Sequence, residues 1–117
     1  GVDVRLVLPG ESDSNLAFHA GRSHYSALLR AGVKIHERRG AMLHAKTATI
    51  DGVWSSVGST NLDRRSFDLN YEVNLLVVDE GLTAALDERQ ASYVARARRL
   101  TLAGTYERPR RCPDARS

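Results

Sequence analysis

The run "LHAKTATIDGVWSSVGS", residues 43 to 59, restricts the fold of this chain more than any other stretch. Its first part alternates. Leu43, Ala45, Thr47 and Thr49 fall on one face of an extended strand, and His44, Lys46, Ala48 and Ile50 on the other. Asp51-Gly52 comes next, a pair suited to the positive φ angles of a tight hairpin turn. "VWSSVGS" then reads as the return strand. The segment therefore predicts an antiparallel hairpin with "MLHAKTATID" as its first arm.

The flanks supply the rest of a layered α/β domain. Val2 to Leu8 alternates and reads as a strand, and "PGESDSN" as a loop. Leu16, Ala20, Tyr25, Leu28 and Leu29 share one face of a helix from about Leu16 to Ala31, with Gly32 as its stop. "VKIHE" predicts a short strand turned by "RRG", and "TNLDRRSFDLN" an irregular segment or a short helical turn. "YEVNLLVVD" is the most apolar strand, which predicts a central position. Asp79 suits the N-cap of a helix from about Glu80 to Arg99. Its inward residues would be Leu82, Leu86, Tyr93 and Val94, with Arg96, Arg98 and Arg99 outward. The fold class is α/β: a mixed β-sheet flanked by helices over residues 1–104, then a basic, flexible tail over 105–117.

Composition excludes more than it identifies. Lys and Arg outnumber Asp and Glu by 17 to 14, a mild lean toward anionic partners that an ordinary solvated surface also explains. Cys112 is the single cysteine, so no internal disulfide forms, and no clustered Cys/His set suits zinc. No apolar run approaches the ~20 residues of a membrane span, and no signal peptide is visible. The phosphate-loop signatures of nucleotide enzymes are absent. The chain opens without Met, directly into "VDVRLVLP", which suggests a piece of a longer protein.

The hairpin also concentrates chemistry. His44 and Lys46, two apart, project together from one face, and the fold-back at Asp51-Gly52 brings Ser59 and Asn61 level with them. Each has an ordinary use alone: a packed histidine, a solvated lysine, turn-forming Ser and Asn. Together they make an imidazole, an ammonium, a hydroxyl and a carboxamide with no acid among them. That set is poor for a metal and suits a phosphoryl group. Lys46 neutralises its oxygens, Ser59 and Asn61 donate hydrogen bonds to them, and His44 attacks phosphorus or carries a proton.

"HAKTATIDGVWSSVGSTN" fits HxKxxxxDxxxxxxGSxN at all six fixed positions, and so resembles the phospholipase D superfamily. The flanks "LLRAGVKI" and "GSTNLDRRSFDLNYEVNL" extend the likeness to the second catalytic half of a bacterial cardiolipin synthase, over nearly the whole chain. The resemblance implies a site built from two such motifs, one per half or per subunit. One histidine becomes a phosphohistidine, and the other protonates the leaving alcohol and activates the acceptor. His44 would be the general acid/base. Lys46 and Asn61 would hold phosphate oxygens, with Ser59 supporting the site. Glu72, on the next strand, would hydrogen-bond the imidazole. Asp51 and Gly58 would be structural members of the motif, and Arg65 would meet an anionic head group.

The same resemblance implies phosphatidyl transfer between phosphatidylglycerol molecules to make cardiolipin, without cofactor or metal. The parent would be associated with the bacterial inner membrane, and this piece soluble. A strand and helix that precede "GVDVRLVLP" in such halves are missing, so the sheet is expected to be incomplete at its N-terminal edge. The partners implied are anionic phospholipid and a second motif-bearing half or a symmetry-related subunit. Nucleic acid is not expected, and this piece alone is expected to be inactive. Two alternatives stand beside this reading: a single-motif phosphodiesterase or nuclease acting as a homodimer, and a non-catalytic phosphate- or lipid-binding remnant.

Overall fold

The Asp51-Gly52 turn forms with φ of 53° and 70° at its two central residues, the pair of positive values that a type I′ turn requires. Val53 completes a three-residue loop, its N–H donating to the Ile50 carbonyl at 3.2 Å. The computed structural model describes residues 1–10, 23–40, 43–61 and 64–103, with the side chains of 64 and 65 outside that set. Its strands are β1 (Arg5–Pro9), β2 (Lys34–Arg38), β3 (Lys46–Ile50), β4 (Trp54–Gly58), β5 (Asn74–Val78) and β6 (Ala97–Arg99). Its helices are α1 (Tyr25–Arg30), α2 (Arg64–Asp68) and α3 (Glu80–Ala95).

The strands form two three-stranded sheets, β1-β2-β6 and β3-β4-β5, where one mixed sheet was expected. In the first, β1 runs parallel to β2 and β6 antiparallel to it. The second is an antiparallel meander, with Lys46 opposite Gly58 and Gly58 opposite Asn74.

α1 ends in a Schellman motif. Gly32, at φ 90°, donates to the Leu29 carbonyl, and Val33 donates to that of Leu28. The turn drops Val33 and β2 onto the helix. Tyr25, Ile35 and Leu100 are buried there, with Leu8, Leu28, Leu29 and Val33 packed around them. The start of β1 is tied to β2 through Asp3, which pairs with Arg5 at 2.7 Å and Lys34 at 2.9 Å. Hydrogen bonds from Arg5 and then Lys34 hold its carboxyl down to about 2.

α3 joins the two sheets. The Asp79 carboxylate accepts from the Leu82 N–H at 2.7 Å, satisfying one of the donors left open at a helix start. The Asp79 N–H donates to the Val53 carbonyl at 2.9 Å, which pins the cap to the hairpin loop. Further along, Gln90 bonds both Thr49 at 3.1 Å and Thr47 at 3.2 Å on β3. Arg38 of β2 lies 5.0 Å from the Tyr93 ring centre.

The sequence-based expectations need several corrections. β1 begins at Arg5, three residues after Val2, and β3 begins at Lys46, so His44 precedes the strand. The last helix stops at Ala95 rather than near Arg99, because residues 97–99 leave it to pair with β2 as β6. Thr83 is its fully buried residue, whereas Leu82 is exposed. β5 is an edge strand rather than a central one, with Leu75 at 63% and Val78 at 75% exposure. Residues 11–22, with the start of the first expected helix, and 104–117, with the tail, lie outside the described residues.

Three outcomes follow from this packing. A Cβ at Gly58 would lie 2.6 Å from Asn74 Cα, and closer still to Asn74 Oδ1 and the Val73 carbonyl oxygen. Gly58→Ala should therefore cost about 1–3 kcal/mol in urea unfolding, as overpacking does. The Thr83 hydroxyl is buried with no partner among the described residues, and Thr83→Val should stabilise the fold by about 1 kcal/mol in the same measurement.

His36 is nearly buried, and burial first, then Arg99, Arg5 and Lys34, lower its proton affinity below that of a free imidazole near 6.5. Between that value and the depressed native one, the unfolded chain holds more protons. The His36 contribution is thus complete above pH 6.5 and declines as pH falls below it. The urea midpoint should drop more between about pH 7.5 and about pH 5.5 in the native chain than in His36→Gln.

Candidate functional site

The chemistry-bearing residues of the hairpin meet at its open end, away from the Asp51-Gly52 turn. His44, Lys46, Ser59 and Asn61 line one cleft of about 430 Å³, with Ala45 and Val57 as its apolar wall. Lys46 folds back on His44, its ammonium 2.5 Å from Nδ1 and 2.7 Å from the His44 carbonyl oxygen. Register explains the meeting. The pairing that begins at Ile50–Trp54 ends at Lys46–Gly58, so the residues flanking both strand ends emerge side by side.

On the β4 side the loop after Gly58 is held from three directions. The Ser59 hydroxyl donates to Glu72 and accepts from the Val73 N–H at 3.0 Å. Asn74 reaches across to Thr60, its amide donating to the Thr60 hydroxyl at 2.6 Å. The Asn61 N–H donates to the hydroxyl of Ser66, a buried residue of α2, at 3.3 Å. These bonds leave the Asn61 side chain at the cleft while its backbone is fixed from behind.

The structure thus brings together His44, Lys46, Ser59 and Asn61. Glu72 stands nearby but precedes β5 rather than lying on it. Its carboxylate accepts from the Ser59 hydroxyl and, at 3.4 Å, from the Asn70 amide. Among the described residues the His44 ring is bonded by Lys46 and not by Glu72. The Ser59 hydroxyl also lies 3.3 Å from the Val73 carbonyl oxygen, so it ties the loop to the segment before β5. Asp51 sits in the hairpin turn, remote from the cleft, and Gly58 packs under Asn74. Arg65 belongs to α2, and its side chain is outside the described residues.

Ser66 and Asn74 were not singled out from the sequence. A signal for Asn74 existed: a glycine inside a strand pattern marks close approach of a neighbouring chain segment, here Asn74 over Gly58. Nothing local distinguished Ser66 from a surface serine. Among the described residues no group of three His, Cys, Asp or Glu is placed to hold a metal ion, and no helix is long and apolar enough to cross a membrane.

Comparison with known proteins agrees with this geometry. Residues 1–93 match the family model described as cardiolipin synthase, PLD-like domain. Cardiolipin synthase A of Cronobacter sakazakii is 45% identical over 109 residues, covering 93% of this chain and 22% of that protein. Its counterpart in Yersinia pseudotuberculosis is 44% identical over 97 residues, covering 83% and 20%. The chain therefore spans about a fifth of the length of these curated relatives. In fold it is similar to Nuc, a phospholipase D family member from Salmonella typhimurium, with a TM-score of 0.72 at 19% identity over 85% of this chain and 64% of that one. With the motif cleft, the mixed α/β layers and a family match over most of its length, the chain belongs to the PLD-like domain family of cardiolipin synthases.

Proposed function

We propose that this chain is one catalytic half of a phosphatidyltransferase that makes cardiolipin from two phosphatidylglycerol molecules, working with a second motif-bearing half or a symmetry-related subunit. The observation that carries the proposal is the shared cleft of His44, Lys46, Ser59 and Asn61. It offers a cation for the phosphodiester, an amide donor beside it and an imidazole within reach of both.

The reaction divides into two displacements. In the first, the partner half's histidine attacks phosphorus, a P–N bond forms and the P–O bond to the terminal glycerol breaks. His44, as general acid, gives its proton to the departing glycerol oxygen. In the second, the free hydroxyl of another phosphatidylglycerol attacks phosphorus. His44 takes that proton back, the P–N bond breaks, and cardiolipin leaves with both histidines restored. Lys46 and Asn61 stabilise the charge on the non-bridging oxygens in both steps, where a fixed cation and donor contribute most. Glu72 acts through Ser59 to hold the loop carrying Asn61. Arg65 would meet the head group from α2. Residues 1–104 make up the catalytic half-domain, and the parent works at the bacterial inner membrane.

The test is mass-spectrometric detection of cardiolipin from phosphatidylglycerol vesicles, with DNA cleavage assayed in parallel. The full-length parent should make cardiolipin, and His44→Ala should lower that rate by ~10²–10⁴-fold, the usual contribution of a proton-transferring group. This chain alone should make none. Turnover by this chain alone, or cleavage of DNA without cardiolipin formation, would replace the proposal with a self-assembled phosphodiesterase.

A further inference from the structure

β5 reads Asn-Leu-Leu-Val-Val, and its first residue is of a type depleted in strands. Asn74 is exposed, so core packing does not account for it. Its side chain nevertheless leans inward over the sheet. Residues paired directly across an antiparallel sheet project from one face, so Lys46, Gly58 and Asn74 form a single row. Gly58, in the middle, has no side chain, and the Asn74 carboxamide takes the space where its Cβ would lie. From there it reaches Thr60. Nδ2 donates to the Thr60 hydroxyl at 2.6 Å, and Oδ1 accepts from the Thr60 N–H at 3.4 Å.

The loop leaving β4 depends on these two bonds. The β4–β5 ladder ends at Gly58 opposite Asn74. Beyond it the Ser59 N–H donates to the Val73 carbonyl at 3.0 Å, and the Asn61 N–H to the Ser66 hydroxyl at 3.3 Å. Thr60 lies between them, and both of its bonds among the described residues come from Asn74. Freedom at Thr60 would pass directly to the next residue, Asn61, which lines the cleft.

We propose that Asn74 is a positioning residue: by clamping Thr60 at hydroxyl and backbone, it fixes the Asn61 carboxamide where it meets the phosphodiester. The inference rests on the phosphate-binding role given to Asn61 above and adds what holds that amide in place. Asn74 is not among the residues that line the cleft, so it acts through Asn61 and not on the reacting atoms. Gly58 belongs to the same device, since a Cβ there would displace the carboxamide that crosses above it.

Two measurements test the clamp. The first is ¹⁵N relaxation of this chain, which needs no turnover. The Thr60 and Asn61 amides should have order parameters near ~0.85, and Asn74→Ala should take both below ~0.6. Thr60→Val, which removes the hydroxyl alone, should lower them part of the way, and Thr60→Ser should leave them unchanged. Leu75→Ala lies next on β5 but projects from the opposite face. It should leave both amides ordered, which separates loss of the clamp from loosening of the edge strand. Should Asn74→Ala lose the fold, the comparison of Thr60→Val with Thr60→Ser decides. Unchanged order in Asn74→Ala, or an equal drop in Leu75→Ala, overturns the proposal.

The second is a double-mutant cycle in the full-length parent, read as the rate of cardiolipin formation from phosphatidylglycerol vesicles. Asn61→Ala should lower the rate by ~10²–10³-fold, as loss of one donor to a charged transition state does. Asn74→Ala should lower it by about tenfold, the order of effect of freeing the backbone of one residue. The two together should be no slower than Asn61→Ala alone, because Asn74 works only through Asn61. Full additivity would make Asn74 a general structural residue and overturn the proposal. An Asn61→Ala parent as fast as the native one removes the role the clamp serves and overturns it too. If the loop loosens in Asn74→Ala while the native parent makes no cardiolipin, the phosphatidyl reading falls and the clamp on Asn61 stands.

Discussion

Everything in the site depends on one pairing register, Ile50 opposite Trp54 through Lys46 opposite Gly58. The turn sets it. Asp51 and Gly52 both take positive φ, and the reversal leaves no freedom in which residues then face each other. A slip of one residue would send Lys46 to the far face. The cleft is therefore a consequence of a turn at the other end of the same hairpin. A motif spread over eighteen residues acts as a unit because its outer members are brought level by its middle.

The second layer of organisation is α3, which keeps the two sheets in contact. Its N-cap is bound to the hairpin loop, its middle to β3 through Gln90, and its last turn to β2 through Tyr93 and Arg38. Most of these ties are polar. Among the described residues the apolar core is small and lies on the β1-β2-β6 side, around Ile35. The β3-β4-β5 sheet has one face partly under α3, while on the other Ile50, Leu76 and Val78 stand exposed. So the half bearing the site draws much of its rigidity from turn geometry and hydrogen bonds rather than from buried hydrocarbon.

The hairpin, the Gly32 stop, the Asp79 cap and the four cleft residues could all be read from the residues, since each depends on local geometry or fixed spacing. The errors share a cause. "YEVNLLVVD" reads as central because apolar character marks burial without saying what does the burying; among the described residues β5 has no strand neighbour on one side. "ARARR" looked like the exposed end of a helix, yet Ala97–Arg99 pairs with β2 some sixty residues earlier, a contact no local pattern encodes. The Glu72 carboxylate accepts from Ser59, a side-chain partner set by rotamers within a loop and not by spacing in the chain.

The two sheets end differently, and the contrast reaches beyond catalysis. β6 is only three residues long and carries Arg98 and Arg99, features that discourage a stray strand from adding to that edge. β5 carries "NLLVV", uncharged and β-prone, on an open edge. Such a segment is a template for cross-β growth. A single charge introduced there would act as a gatekeeper during expression and refolding, when the strand is exposed before anything can cover it.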